Sequence, residues 1–160
     1  MNIFVTSDCY MTCAKELCDK HVVKMILESG QMLSTAHRLC NGFQDNVYKT
    51  AYKNHPCTIW TRRTSDNYIW HYNLWLCMCH EYKFRYNKIH TTYTKLVDYL
   101  CYIPKGIPFY KMTSFPCCMP DEYKIYDCVH ANYRHFICNK PFKRVWTKTA
   151  EPLWHKNNWK

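Results

Sequence analysis

A histidine and a glutamate stand seven residues apart in the segment Leu17-Cys-Asp-Lys-His-Val-Val-Lys-Met-Ile-Leu-Glu28. Seven residues make two turns of α-helix, so His21 and Glu28 stack on one side. At about 100° per residue the apolar arc runs through Cys18, Val22, Met25, Ile26, Met32, Leu33, Ala36 and Leu39. His21 and Glu28 fall at the edge of that arc. Lys24, Gln31, Thr35 and Arg38 continue from that edge into the polar side. A carboxylate at the border between core and water is partly desolvated and its pKa can be tuned, which suits proton transfer and the stabilisation of developing positive charge. The same periodicity also fits a surface glutamate and a packed histidine. His37, Arg38 and His55 are the further groups that the sequence offers to a site around Glu28.

These residues need a scaffold. The chain has 160 residues, with 48% hydrophobic and 17% aromatic side chains, which suits one domain, residues 1–160, with a single core. Only 3 glycines occur. That favours helices joined by loops over a sheet with many tight turns, so the expected class is all-α, a compact helical domain with long loops. No apolar run approaches the roughly 20 residues that span a membrane, and no signal peptide or membrane partner is expected.

The net charge is +10, with 9 histidines besides. Such a balance suits a nucleic-acid partner. The 12 cysteines read as free thiols packed as small apolar groups. Cys77-Met-Cys79-His80 and Cys117-Cys118 lack paired C-x-x-C spacing, so neither a metal nor another cofactor is expected. No phosphate-binding glycine loop, nucleophile elbow or His-Glu-x-x-His motif is present.

Along the chain, Ile3 to Val5 is an apolar opening that tucks against the core. Asp8 or Thr12 caps a first helix that runs through Glu28 to about Leu39, with Gly30 weakening its middle and Asn41-Gly42 ending it. Pro56 starts a second helical stretch to about Ile89, broken near Thr64-Ser65-Asp66. It interleaves aromatic residues with Arg62, Arg63, Lys83, Arg85 and Lys88. A short helix from about Thr94 to Cys101 follows. Pro104, Pro108, Pro116 and Pro120 make an ordered loop. Pro120-Asp-Glu-Tyr starts a last helix to about Cys138. A tail then carries Lys140, Lys143, Arg144, Lys148, Lys156 and Lys160 among Trp146, Trp154 and Trp159. The tail and the Arg62-Arg63 region are the best candidates for holding a phosphate backbone and stacking on bases. The alternative is that the tryptophans anchor the tail while the lysines are solvated.

Asp19-Lys-His21 followed by Glu28 resembles the pyrimidine-dimer DNA glycosylases of the phage endonuclease V type. In that family an N-terminal helix carries Asp-x-His and then a catalytic glutamate seven residues on. His37-Arg38 matches a basic pair that follows the glutamate. Asn54-His55-Pro56 and the aromatic, basic stretch 57–88 stand where the family has a Gly-His segment and a long helix. The resemblance implies that the α-amine of the processed chain attacks the sugar carbon of a damaged nucleotide, and that the resulting imine permits strand cleavage. An α-amine ordinarily titrates near 8, so a useful fraction is neutral near pH 7. The chain departs from the family in three ways. Asn2 stands where the family has a small residue, so Met1 is not readily removed. The spacer before Asp19 is about five residues longer. Leu27 and Gln31 replace two arginines that flank the glutamate.

The resemblance therefore implies a DNA glycosylase with abasic-site lyase activity, acting as a monomer inside a cell, in the cytoplasm or nucleus of a host, and of viral or bacterial type. Its catalytic candidates are Glu28, His21 and the amine of Met1 or Asn2. Its DNA-binding candidates are Lys24, Gln31, His37, Arg38, His55, Arg62, Arg63, Lys143 and Arg144. Two other readings remain on the same scaffold: a non-catalytic nucleic-acid-binding protein, and an enzyme acting on a nucleotide or modified base.

Overall fold

The first helical stretch is two helices. In the computed structural model, which describes residues 1–157, α1 spans Tyr10–Glu16 and α2 spans Asp19–Leu39. The expectation of one continuous helix fails at Leu17 and Cys18, both in extended backbone. The cause lies on a distant helix. The guanidinium of Arg85 donates to the carbonyl oxygens of Lys15 (3.1 Å) and Leu17 (2.8 Å), which terminates α1. Asp19 then opens α2, where an acid suits the helix N-terminus.

The second stretch also divides, at the expected place. α3 covers Pro56–Thr61 and α4 covers Ser65–Tyr86. Thr64 caps α4 by accepting from the Asn67 N–H at 3.2 Å. Asn87 ends it in the left-handed region, φ 54°. α5 runs Thr91–Leu100, starting three residues earlier than the sequence suggests because His90 caps it through Nδ1. The proline-bearing segment 103–120 is loop, as expected.

The last expected helix is corrected. Pro120 starts only a 3-10 turn at Asp121–Tyr123, and α6 begins at Val129 and ends at Cys138. Asn132 explains the gap. Its side chain accepts from the Tyr126 N–H and donates to the Tyr126 carbonyl, both at 2.9 Å, which takes that backbone out of a helical ladder. A short α7, Leu153–Lys156, was not expected. No strand occurs among the described residues, and the fold is all-α. Trp159 and Lys160 of the expected tail lie outside those residues.

α2 is the centre of the packing, with α3, α4 and α5 against it, and α1 lies along α4. The expected arc of α2 is buried from Cys18 to Ala36, whereas Leu39 is exposed. Ile3 and Val5 are buried in the same core with Trp75, Tyr68, Leu74 and Met78 of α4. Each such side chain contributes on the order of 1.5–3 kcal/mol. The indole N–H of Trp75 donates to the Ile26 carbonyl at 3.2 Å, tying α4 to α2 beside the glutamate. Gly30 marks the crossing of α5: a Cβ there would stand 2.7 Å from Thr92 Cγ2.

Two of the tail tryptophans, Trp146 and Trp154, are anchors. Trp146 donates its indole N–H to the Glu16 carbonyl at 3.0 Å, and Trp154 is buried.

Candidate active site

Glu28 sits on α2 with its side chain 13% exposed. Two successive backbone nitrogens face one of its oxygens. The Asn2 N–H donates to Glu28 Oε2 at 3.1 Å, and the Met1 amine lies 3.6 Å from the same atom. Lys24, one turn back, reaches Oε1 at 3.3 Å while remaining mostly exposed.

The Asn2 side chain aims the N-terminus. Its Oδ1 accepts from the N–H groups of Ile3 (2.8 Å) and Phe4 (3.3 Å), forming a tight local turn. Its Nδ2 donates to the Cys118 carbonyl at 2.6 Å. Phe4 follows in left-handed backbone, φ 46°. Beyond it, Ile3 and Val5 are sealed in the core. The first residues are thereby bent onto α2, with the amine at the carboxylate.

His55 lies on the same wall. Burial and the positive charge of the terminal amine push its pKa down, while the Glu28 carboxylate opposes that shift. Its Nδ1 caps α3 by accepting from the Cys57 N–H at 3.2 Å. Cys57 Sγ is buried 4.0 Å from Asn2 Oδ1 and also contacts Cys118. The Cys57 thiol donating to Cys118 holds the Cys118 thiol below the usual range, and the Cys57 thiol is correspondingly raised.

His21 does not share this wall. It is buried at 3% exposure, with its ring 4.6 Å from that of Phe4 and edge-on to Phe142 at 5.4 Å. Burial first, then the charges of Lys140, Arg144, Lys24 and Lys20, push its pKa down to about 3. It is a neutral packing group that supports Phe4, and no hydrogen bond joins it to Glu28 among the described residues. The helical wheel put it at the border because the wheel omits the N-terminal segment, whose Phe4 covers this side of α2.

Several expected DNA contacts are committed elsewhere. His37 is buried, its Nε2 2.8 Å from the Tyr68 hydroxyl, and burial pushes its pKa down to about 4. Arg38 donates to the carbonyls of Tyr48 (2.7 Å) and Val47 (3.3 Å), pinning the loop after α2. Arg144 donates to the carbonyls of Ile137, Cys138 and Lys140 and closes the C-terminus of α6. Lys24, Arg63 and Lys143 are exposed, Arg62 is half-buried, and Gln31 lines a concavity with Leu27, Tyr48 and Lys49.

Sequence reasoning named Lys140 only among the tail cations and missed its closeness to Glu28. Its ammonium lies 4.0 Å from the Phe136 ring centroid and 5.3 Å from that of Phe4, and it feels the charges of both Lys24 and Glu28. Nothing local in the sequence marks it out from the other tail lysines. Lys24 and Lys140 together give the approach to Glu28 a positive field.

A profile of the pyrimidine dimer DNA glycosylases matches residues 1–94, the span that carries the N-terminal segment, Glu28, His55 and Cys57. The chain belongs to that family. Pyrimidine dimer DNA glycosylase activity and a DNA substrate follow from the membership. Comparison with curated proteins and with solved structures finds no match. No helix among the described residues is long and apolar enough to cross a membrane.

Proposed function

We propose that this pyrimidine dimer DNA glycosylase works through its N-terminal amine, with Glu28 as the catalytic carboxylate. The observation that carries the reading is the approach of the Met1 amine to Glu28 Oε2, 3.6 Å, with the Asn2 N–H at 3.1 Å on the same oxygen. A neutral α-amine attacks C1′ of the damaged nucleotide. The N–C bond forms as the glycosidic bond breaks, and the base takes up a proton while staying joined to its dimer partner. The sugar ring opens to an imine. Loss of a C2′ proton then expels the 3′ phosphate and cuts the strand. Glu28 stabilises the cationic sugar and carries the protons of ring opening and elimination.

Retained Met1 is the nucleophile in this reading. Its side chain is 1% exposed, and Asn2 behind it is fastened through its amide to Cys118, Ile3, Phe4 and Cys57. His55, which feels the charges of both the amine and the carboxylate, helps orient them. Lys24, Lys140, Arg63 and Lys143 hold DNA phosphates.

Borohydride reduction on abasic-site DNA tests the mechanism. A trapped covalent adduct is expected on the first residue, with intact mass of the free protein giving the identity of that residue. Glu28→Gln keeps the size of the side chain and is expected to lower strand cleavage by about 10²–10⁴-fold. Absence of an adduct, or full activity in Glu28→Gln, overturns the mechanism. DNA binding that persists in an inactive wild-type protein would instead favour a purely binding role.

A further inference from the structure

His55, Cys57 and Cys118 bring three soft or borderline donors together. Their ligand atoms all lie within 4.8 Å of one another, and this is the group of three metal-binding side chains found among the described residues. In a tetrahedral zinc site, bonds of about 2.3 Å to sulfur and 2.0 Å to nitrogen place donor atoms roughly 3.5–4 Å apart. The observed set needs only a small contraction.

The cluster is built into the fold. His55 is the N-cap of α3 and Cys57 is in its first turn, so Pro56 fixes their relative position. Cys118 comes from the loop before α6, and its backbone is clamped on both sides. The carbonyl accepts from Asn2 Nδ2 at 2.6 Å, and the N–H donates to the Tyr133 hydroxyl at 3.2 Å. That hydroxyl donates in turn to the Pro116 carbonyl at 2.7 Å. Cys57 is fully buried, and His55 and Cys118 are half-buried, so the cluster lies at the edge of the core, shielded on one side and reachable from the other.

We propose that His55, Cys57 and Cys118 form a binding site for a divalent cation of the zinc class. Nitrogen and sulfur donors select such an ion over magnesium or calcium, which require oxygen. Three protein donors leave a fourth position for a water or another oxygen donor, as in sites that are not purely structural. The ion ties the Cys118 loop to α3. Through Asn2, which holds both the Cys118 carbonyl and Glu28, it also steadies the N-terminus. The sequence hides the site because its donors come from two distant segments and neither has C-x-x-C spacing.

Cobalt(II) is the probe. The reduced, metal-free full chain is titrated with Co²⁺ and the thiolate-to-cobalt charge-transfer band is followed. One equivalent is expected to bind, with Zn²⁺ displacing it. Cys118→Ser is expected to weaken binding by more than about tenfold and to reduce the band. His55→Gln is expected to weaken binding similarly while keeping the thiolate band, and it serves if Cys118→Ser does not fold. Cys101→Ser and Cys128→Ser, at exposed thiols, should change nothing. No band, a band unaltered in both site variants, or equal loss in the exposed-thiol variants overturns the proposal. The readout is independent of borohydride trapping, so failure of one leaves the other standing.

Discussion

Arg85 on α4 reaches Asp19 at the start of α2, with Nη1 3.1 Å from Oδ1. The guanidinium is wholly buried and also pairs with Glu81 Oε2 at 3.1 Å. Asp19 in turn accepts from the backbone N–H and the hydroxyl of Thr147, the latter at 2.7 Å. One buried cation thus joins the end of α1, the start of α2 and the C-terminal tail.

Arg85→Met keeps much of the volume but strands two carboxylates and two helix-end carbonyls. We expect a loss of about 3–5 kcal/mol in unfolding free energy. Urea denaturation checks this through the midpoint, with the slope unchanged. Arg85→Lys should rescue little, since one ammonium cannot serve all four acceptors.

Gly30→Ala should destabilise despite the higher helix propensity of alanine, worth about 1 kcal/mol. The added methyl meets Thr92 Cγ2 at 2.7 Å and Leu96 Cδ1 at 3.1 Å. Thr92 does not swing away freely, because its hydroxyl accepts from the Tyr48 hydroxyl at 3.2 Å. The net cost is expected at about 1–2 kcal/mol. Thr92→Ser removes the clashing methyl, and the double variant should recover most of the loss in thermal unfolding.

Acid should unfold the protein through its buried histidines. His21 is held down to about 3 and His37 to about 4, against 6.5 when unfolded. Each binds its proton only in the unfolded chain between those limits. Their contribution is fully present above about pH 6.5 and is lost as the pH falls toward 4 and then 3, at up to about 1.4 kcal/mol per pH unit for each. For His21 the charges of Lys140, Arg144, Lys24 and Lys20 add to burial; for His37 burial alone acts. His37→Gln should flatten the pH dependence of the unfolding midpoint between pH 6 and 4. An unaltered slope would contradict the assignment.

Lys24 and Lys140 should report the DNA side of the site. Each lysine that no longer neutralises a phosphate lowers the slope of log affinity against log salt by about 0.9. Lys24→Ala and Lys140→Ala are each expected to reduce that slope, measured by fluorescence anisotropy on duplex DNA. Arg144→Ala should leave the slope alone and lower stability, because its guanidinium closes α6.

Helix class and the α2 core face were legible because periodicity reports burial against a neighbour. The break at Thr64 was legible because a capping residue marks it locally. The break at Leu17 was not, since Arg85 imposes it from far along the chain. The same distinction runs through the site. The place of Glu28 at the edge of the core face was readable from the periodicity of α2. The burial of His21 depends on Phe4 and Phe142, and the partnership of Cys57 with Cys118 depends on how a loop folds back. Neither leaves a pattern within one helix.

The bend at Asn2 has a practical consequence for preparing the protein. A purification tag fused ahead of Met1 turns its charged amine into a neutral peptide N–H beside Glu28 and routes extra chain past Lys24. Under the proposed amine mechanism, such a fusion is expected to read as inactive in a cleavage assay even when correctly folded. Scarless release of the tag, or a label placed after residue 160, avoids mistaking a blocked terminus for a dead enzyme.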